Sequence, residues 1–324
     1  MRNNPYNNWA TWGDDDPKPT ITPKNRWAGW AALLRLPNLF TVPGDAMAGL
    51  TVAALMAGRD LPMTWYLLAI GGAALCFYVF GLLVNDLADF NEDALMRPER
   101  PLPAGLVLPG MVISVMLLLP MAGLGLAWLV STKALGVAII LLPLVVMYNL
   151  LSKHVTVLAC VNMGACRAVA FLLGVAPTEW LGIPGLLALA WGAYIALVTL
   201  VARGDEQTAE FGSTAWWLVI PSVALAGGVN ALAWYLPGVP PPLRNVGVPL
   251  LTLAFLLGVV FAARRLRGRV VPAQNRAVIG DWLRCLIPLQ AACLFLSPRT
   301  VGLAVVVLCG WSLSLYFGRR YSAS

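Results

Sequence analysis

Long apolar runs separated by short polar connectors fill the chain from residue 38 to residue 317. Each run is long enough to cross a bilayer as a helix, which needs about 20 mostly apolar residues. The pattern therefore predicts an all-α, polytopic membrane helical bundle of ten transmembrane helices, or nine if one tilted helix has been divided into two. The predicted spans are 38–57, 63–84, 108–130, 134–151, 155–175, 183–202, 214–235, 246–264, 279–297 and 300–317.

Composition and charge agree with this pattern. Apolar residues make up 59% of the 324 positions and charged residues 11%, which excludes a soluble domain of this length. Of the 22 lysines and arginines, sixteen fall on one side of the predicted membrane and four on the other. Because positive residues collect on the inside, we expect an integral membrane protein of a bacterial inner membrane with both termini and the main polar loops in the cytoplasm.

The N-terminal segment, the net charge and the cysteine and histidine content exclude several classes of function. Residues 1–26 are polar and predict a disordered cytoplasmic tail, followed by a membrane domain over residues 27–320. The net charge of +7 comes from residues that flank apolar runs, so it indicates contact with anionic lipid and no nucleic-acid partner. The six cysteines lie within apolar runs without Cys-x-x-Cys spacing, and His154 is the single histidine, so a zinc or histidine-metal centre is not expected.

The most polar stretch that follows an apolar run begins at Asn85. Asp86, Asp89 and Asp93 are spaced by three and four residues, so on one continuous helix their carboxylates share a face. Converging carboxylates repel one another unless a cation lies between them, and such oxygen ligands suit Mg²⁺ that carries a phosphate substrate. The alternative is a solvated connector between two membrane helices.

Arg167 and Asp45 are among the charged residues inside the predicted spans. Arg167 should face the interior of the bundle, either to bind substrate or in an ion pair with another helix, because a charge facing lipid is costly. Asn162 and Cys166 share a face of the same span. Asp45 lies near the start of the first span, either at the interface or directed into the bundle.

The run NDLADFNEDALMRPERPLPAG, residues 85–105, resembles the first aspartate-rich motif of the UbiA superfamily of intramembrane prenyltransferases. The resemblance implies a bundle in which Mg²⁺ and a prenyl diphosphate bind at the cytoplasmic mouth. It makes Asp86, Asp89 and Asp93 the catalytic and metal-binding residues. It also implies a set of substrate-binding residues: Asn85, Arg97, Arg100, Lys153, Asn162, Arg167 and Arg203.

Three further segments bear on this resemblance. The segment from Tyr148 to Lys153 is similar to a Tyr-x-x-x-Lys element with the lysine one residue late, so Lys153 is either a diphosphate ligand or an ordinary positive flank. The second aspartate motif of the family is degraded, and Asp205 and Glu206 are its remaining candidate metal ligands. The segment Met-Gly-x-Cys-Arg, ending at Arg167, resembles the EboC-like branch of the superfamily.

The predicted function is Mg²⁺-dependent transfer of an isoprenoid group from a prenyl diphosphate to an aromatic or other lipid-soluble acceptor within the membrane. The second candidate is a non-catalytic binding or export component that retains the fold and one diphosphate site. The degraded second motif and Arg167 motivate this alternative, because loss of a carboxylate weakens a second metal site.

Overall fold

The structure is a computed structural model that describes residues 23–60, 63–203, 214–266 and 272–320. Throughout these ranges the regular secondary structure is helical. The α-helices are α1 (Pro23–Leu33), α2 (Leu36–Leu39), α3 (Pro43–Met56), α4 (Thr64–Ala88), α5 (Phe90–Met96), α6 (Pro109–Val130), α7 (Thr132–Leu150), α8 (Thr156–Val175), α9 (Gly182–Arg203), α10 (Val219–Tyr235), α11 (Val248–Arg264), α12 (Pro272–Leu294) and α13 (Val301–Arg320).

The predicted number of spans is confirmed. Within the described ranges, ten helical segments are long and apolar enough to cross a membrane, by length and composition. The last two, Asn275–Leu294 and Pro298–Gly318, are separate segments, because the chain turns at Ser297 and a short 3-10 helix over Pro298–Thr300 precedes α13. These two segments are therefore not one divided helix. The disordered tail was predicted to end at residue 26. Residues 1–22 of it lie outside the described residues, and helix α1 begins at Pro23.

Helices α3 and α8 form the centre of the bundle. One apolar cluster joins Val52 of α3 and Phe171 of α8 to helices α9 to α12, and a second joins Leu50 of α3 and Leu173 of α8 to α4, α6, α7, α12 and α13. Of the span that contains α3, 72% of the residues are buried, against 17% of α6. The outer helices therefore keep apolar side chains exposed toward the lipid.

Glycines let the central helices approach closely. A methyl group added at Gly174 of α8 would collide with the backbone oxygen of Ala46 in α3, and one added at Gly49 would collide with Phe171. Gly164 of α8 and Gly192 of α9 oppose each other in the same way. Small residues at such crossings are a common means of packing membrane helices, because van der Waals contact there replaces the hydrophobic effect.

We expect Gly174→Ala to destabilise the bundle by about 1–3 kcal/mol, because α3 and α8 must separate to admit the new methyl group. The matched control is Gly125→Ala in α6, where an added methyl group meets no atom within 4 Å. Removing a helical glycine there should leave stability unchanged or raise it by about 0.5–1 kcal/mol. Denaturation of the purified variants in detergent measures both effects, and equal stabilities for the two variants would contradict the packing argument.

Candidate functional site

The acid-rich stretch forms the end of α4 and the short helix α5. Asp86 lies in the last turn of α4, Asp89 lies at the junction between the helices, and Asp93 is buried in α5. The predicted continuous helix is therefore interrupted at Asp89, whereas Asp86 and Asp93 still line one pocket. Asp89 leaves the helical region at φ −89° and ψ 0°, in keeping with the low helix propensity of aspartate.

Each of these aspartates forms an ion pair with a cation from a different part of the chain. Asp93 Oδ2 accepts from Arg100 Nη1 at 2.5 Å, and Asp89 accepts from Lys153 Nζ. Asp86 Oδ1 lies 3.8 Å from Arg35 Nη2 and also accepts a hydrogen bond of 3.4 Å from Asn85. Among the described residues, no group of three or more acidic, histidine or cysteine side chains is arranged to hold a metal ion.

The connection between α5 and α6 fixes Arg100 in this position. The chain turns through Gly105, whose φ of +68° is readily accessible to glycine, and the N–H of Leu106 donates to the oxygen of Pro101. Leu102 and Val107 pack with Leu33 of α1 and Leu83 of α4 in a third apolar cluster. As a result, one small polar pocket is shared by two carboxylates and two guanidinium groups: Asp86, Asp93, Arg35 and Arg100.

Lys153 is held by a short turn between α7 and α8. The turn is a 3-10 helix over Ser152–His154, and Asn162 Nδ2 donates to Ser152 Oγ at 3.0 Å. The guanidinium of Arg203, at the end of α9, donates to the backbone oxygen of Lys153. The structure thus places Asn162 and Arg203 as residues that position Lys153. Cys166 Sγ lies 3.6 Å from Asn162 Oδ1, as their shared helix face predicted.

A cavity of about 410 Å³ lies inside the bundle next to this polar cluster. Arg35 and Asn85 line it together with aromatic and aliphatic side chains from several helices. Polar residues Thr41 and Arg167 line it as well. The cavity is also lined by Phe77, Tyr78, Tyr148, Cys166, Ile195 and Val198. A mainly apolar chamber therefore adjoins the four charged groups of the polar pocket.

Arg167 lies in a buried polar network, as its intramembrane position predicted. Its Nη1 donates to Asp45 Oδ2 at 2.5 Å and to the backbone oxygen of Thr41 at 3.3 Å, and its Nη2 donates to Thr41 Oγ1 at 3.2 Å. Asp45 Oδ1 also accepts from Trp191 Nε1 at 3.0 Å and from Gln290 Nε2 at 2.7 Å. The ion pair joins α3 to α8, and Arg167 lines the cavity at the same time.

The sequence did not single out every residue of this arrangement. Arg35 adopts a left-handed backbone conformation with φ +46° between α1 and α2, and its only signal was a positive charge before the first span. Trp191 and Gln290 carried no signal. Conversely, Arg97 is exposed at the end of α5 and lines neither described pocket. Asp205 and Glu206 lie outside the described residues.

Three comparisons with known proteins bear on this arrangement. Residues 46–280 match the model of the UbiA prenyltransferase family. The chain is similar to a digeranylgeranylglyceryl phosphate synthase of Methanoculleus marisnigri, at 31% identity over 52% of this chain and 60% of that protein. It is also similar to one of Methanopyrus kandleri, at 29% identity over 44% of this chain and 54% of that protein. The matches thus span less than two thirds of these relatives.

A solved structure gives a further match. Its subject is digeranylgeranylglyceryl phosphate synthase and biosynthesis in membranes. The superposition covers 86% of this chain and 99% of that one, with a TM-score of 0.53 and 14% sequence identity. At this identity the likeness shows a shared fold.

Proposed function

Since the chain belongs to the UbiA prenyltransferase family, we propose that it transfers an isoprenoid group from a prenyl diphosphate to a lipid-soluble acceptor within the membrane. The observation that carries the proposal is the junction of a charged cluster with an apolar cavity of about 410 Å³. A prenyl diphosphate has the same division into a highly charged end and a hydrocarbon chain. The cluster suits the diphosphate and the cavity suits the chain.

Magnesium is the ion that the donor set favours. Asp86 and Asp93 line one pocket, and Asp89 would join them by leaving its ion pair with Lys153. Carboxylate oxygens are the ligands that Mg²⁺ prefers. We propose that these three aspartates hold Mg²⁺ beside the diphosphate, with Asn85 as a nearby polar group. The bound ion supplies charge neutralisation to the leaving diphosphate.

The basic residues of the site would bind the diphosphate once Mg²⁺ is on the aspartates. Arg35, Arg100 and Lys153 pair with the three aspartates in this structure, and a bound diphosphate offers them stronger anionic oxygens. A guanidinium binds phosphate oxygens in pairs, whereas the lysine ammonium acts as a point charge. Positive groups that meet the diphosphate lower the energy of the charge that develops on it as the carbon–oxygen bond breaks.

The walls of the cavity serve the other half of the substrate. Positive charge develops on the allylic carbon as the diphosphate leaves, and the rings of Phe77, Tyr78 and Tyr148 line the cavity. Aromatic faces stabilise cations, and apolar walls exclude the water that would otherwise capture the allylic carbon. The same walls leave room for an acceptor beside the prenyl chain.

We also propose the class of acceptor, the side of the membrane on which the cavity opens, and the kind of membrane. The relatives are named for a prenylated glyceryl phosphate, and both a glycerol lipid and an aromatic compound are lipid-soluble acceptors. The excess of basic residues on one side favours a cytoplasmic mouth in a bacterial inner membrane. Membership of the EboC-like branch stays a prediction.

We expect Lys153→Gln to raise the dissociation constant of a prenyl diphosphate with Mg²⁺ by about tenfold, because one charge-assisted contact is worth about 1.5–3 kcal/mol. The control is Lys133→Gln, an exposed lysine at the opposite end of α7. Equilibrium binding of radiolabelled geranylgeranyl diphosphate in detergent measures both. An unchanged dissociation constant for Lys153→Gln would assign this lysine to the positive flank of a membrane helix.

The proposed function is tested by diphosphate release from purified protein in detergent, given prenyl diphosphates of several chain lengths, Mg²⁺ and a lipid extract as the acceptor source. We expect Mg²⁺-dependent release together with a prenylated product detected by mass spectrometry. Binding of the prenyl diphosphate without release, in the presence of every acceptor supplied, would instead support the non-catalytic binding or export component.

A further inference from the structure

Arg167 has hydrogen-bonding capacity that its protein partners do not use. A guanidinium carries five N–H donors, and within the described part of the chain three hydrogen bonds are made by this group, to Asp45 and twice to Thr41. Nε–H makes none of them. Arg167 is 8% exposed and lines the cavity together with Thr41 and Cys166. The side chain that carries these unused donors is therefore mostly buried and lines a space large enough for a ligand.

The charge of Arg167 is balanced inside the protein. Asp45 is completely buried, and its two oxygens accept hydrogen bonds from Arg167, Trp191 and Gln290. The pair therefore presents donors to the cavity without a net positive charge. An anion bound there would be desolvated among apolar walls with no excess charge to compensate it, whereas a neutral oxygen would not incur that cost.

The two ends of a prenyl diphosphate do not match this position. The diphosphate carries the charge that suits Arg35, Arg100 and Lys153 at the aspartate cluster, and the prenyl chain has no oxygen with which to accept a hydrogen bond. The donors of Arg167 are thus left for the other substrate. This step depends on the proposed function, because it takes the cavity to be a site for prenyl transfer.

We propose that Arg167 is the acceptor subsite, and that it binds an uncharged hydroxyl or carbonyl oxygen of the acceptor. Thr41 and Asp45 hold the guanidinium in place, and Trp191 and Gln290 hold Asp45 in turn. The chemical class is a neutral alcohol, phenol or quinone-like carbonyl compound. A carboxylate or phosphate is not expected to bind at this position.

Three probes of similar shape test the assignment: 2-naphthol, naphthalene and 2-naphthoate. Their affinities are measured by equilibrium dialysis in detergent, with and without farnesyl diphosphate and Mg²⁺. In the native protein we expect 2-naphthol to bind about tenfold or more tightly than naphthalene, as one hydrogen bond to a charged group predicts. When farnesyl diphosphate occupies the aspartate cluster, 2-naphthoate should bind no better than naphthalene.

The double variant Asp45→Asn with Arg167→Met removes both charges together and keeps an acceptor for Trp191 and Gln290. We expect this variant to bind naphthol and naphthalene equally. It should bind farnesyl diphosphate with Mg²⁺ within about twofold of the native affinity, because the charged residues proposed to bind the diphosphate are not changed. The control is Thr252→Val, which removes a part-buried hydrogen bond of 2.7 Å that Asn230 of α10 donates to the Thr252 hydroxyl outside the cavity lining. It should keep the native preference for naphthol.

Two results would overturn the subsite. One is equal affinity of the native protein for naphthol and naphthalene, a comparison that does not depend on the folding of any variant. The other is a folded double variant that still prefers naphthol. Failure of the native protein to bind farnesyl diphosphate and prenyl diphosphates of other chain lengths would instead reject the proposed function, while the naphthol comparison would still report on Arg167.

Discussion

Replacing Asp86 by alanine is expected to lower the rate of prenyl transfer by about a thousandfold or more, since metal-assisted charge stabilisation is worth several kcal/mol in the transition state. Asp86 lies in the last turn of α4, lines the same pocket as Asp93, and receives a hydrogen bond from Asn85. Its loss removes a proposed Mg²⁺ ligand and leaves Arg35 without its carboxylate partner. Steady-state release of diphosphate at saturating prenyl diphosphate and Mg²⁺ measures the change.

Glu92→Gln provides the matched control. Glu92 lies one residue before Asp93 in α5, but it is exposed and lines neither described pocket. The variant removes one negative charge from the same short segment, so a general effect of local charge would appear in it as well. We expect near-native activity for Glu92→Gln. Near-native transfer by Asp86→Ala would show that this carboxylate is not required and would reject the proposed metal site.

Replacing Arg167 alone by methionine is expected to destabilise the bundle by about 3–5 kcal/mol, because it leaves the completely buried Asp45 carboxylate without its cation. Removing both charges in Asp45→Asn with Arg167→Met should cost much less, since replacing a buried pair by neutral groups of similar volume is often close to neutral. Reversible unfolding in mixed detergent micelles gives the free energies for the single and the double variant.

The comparison for this prediction is an exposed ion pair in the same protein. Arg299 lies 3.1 Å from Asp60, and their side chains are 67% and 93% exposed. Arg299→Gln should change stability by no more than about 1 kcal/mol, since solvent screens an exposed pair. A single Arg167→Met variant as stable as the double variant would contradict the network described above, because the pair would then contribute no coupling between its members.

The membrane bundle could be predicted because it depends on the length of each apolar run. Ten spans follow from that pattern alone, and the burial and pairing of Arg167 follow from the cost of placing a charge in lipid. The residues that contact this ion pair were harder to predict from the sequence. Asp45 was visible as a carboxylate in the first span, whereas Gln290, which lies 245 residues further along, contacts it through the packing of α3 against α12.

The geometry of the aspartate cluster shows the limit of sequence spacing. Spacings of three and four residues place side chains on one face only while the helix is continuous, and the chain turns at Asp89. Two of the three ion pairs also join segments distant in sequence: Arg35 pairs with Asp86, and Lys153 pairs with Asp89 across 64 positions. The late position of Lys153 after Tyr148 is accommodated by the 3-10 turn over Ser152–His154. None of these contacts is encoded in local periodicity.

The most direct test of the central claim is an experimental structure of the protein with Mg²⁺ and geranylgeranyl thiodiphosphate, a slowly reacting substrate analogue. We expect Mg²⁺ on Asp86, Asp89 and Asp93, the diphosphate in contact with Arg35, Arg100 and Lys153, and the prenyl chain inside the cavity lined by Phe77 and Tyr148. A diphosphate bound elsewhere, with the three aspartates still in their ion pairs, would contradict it.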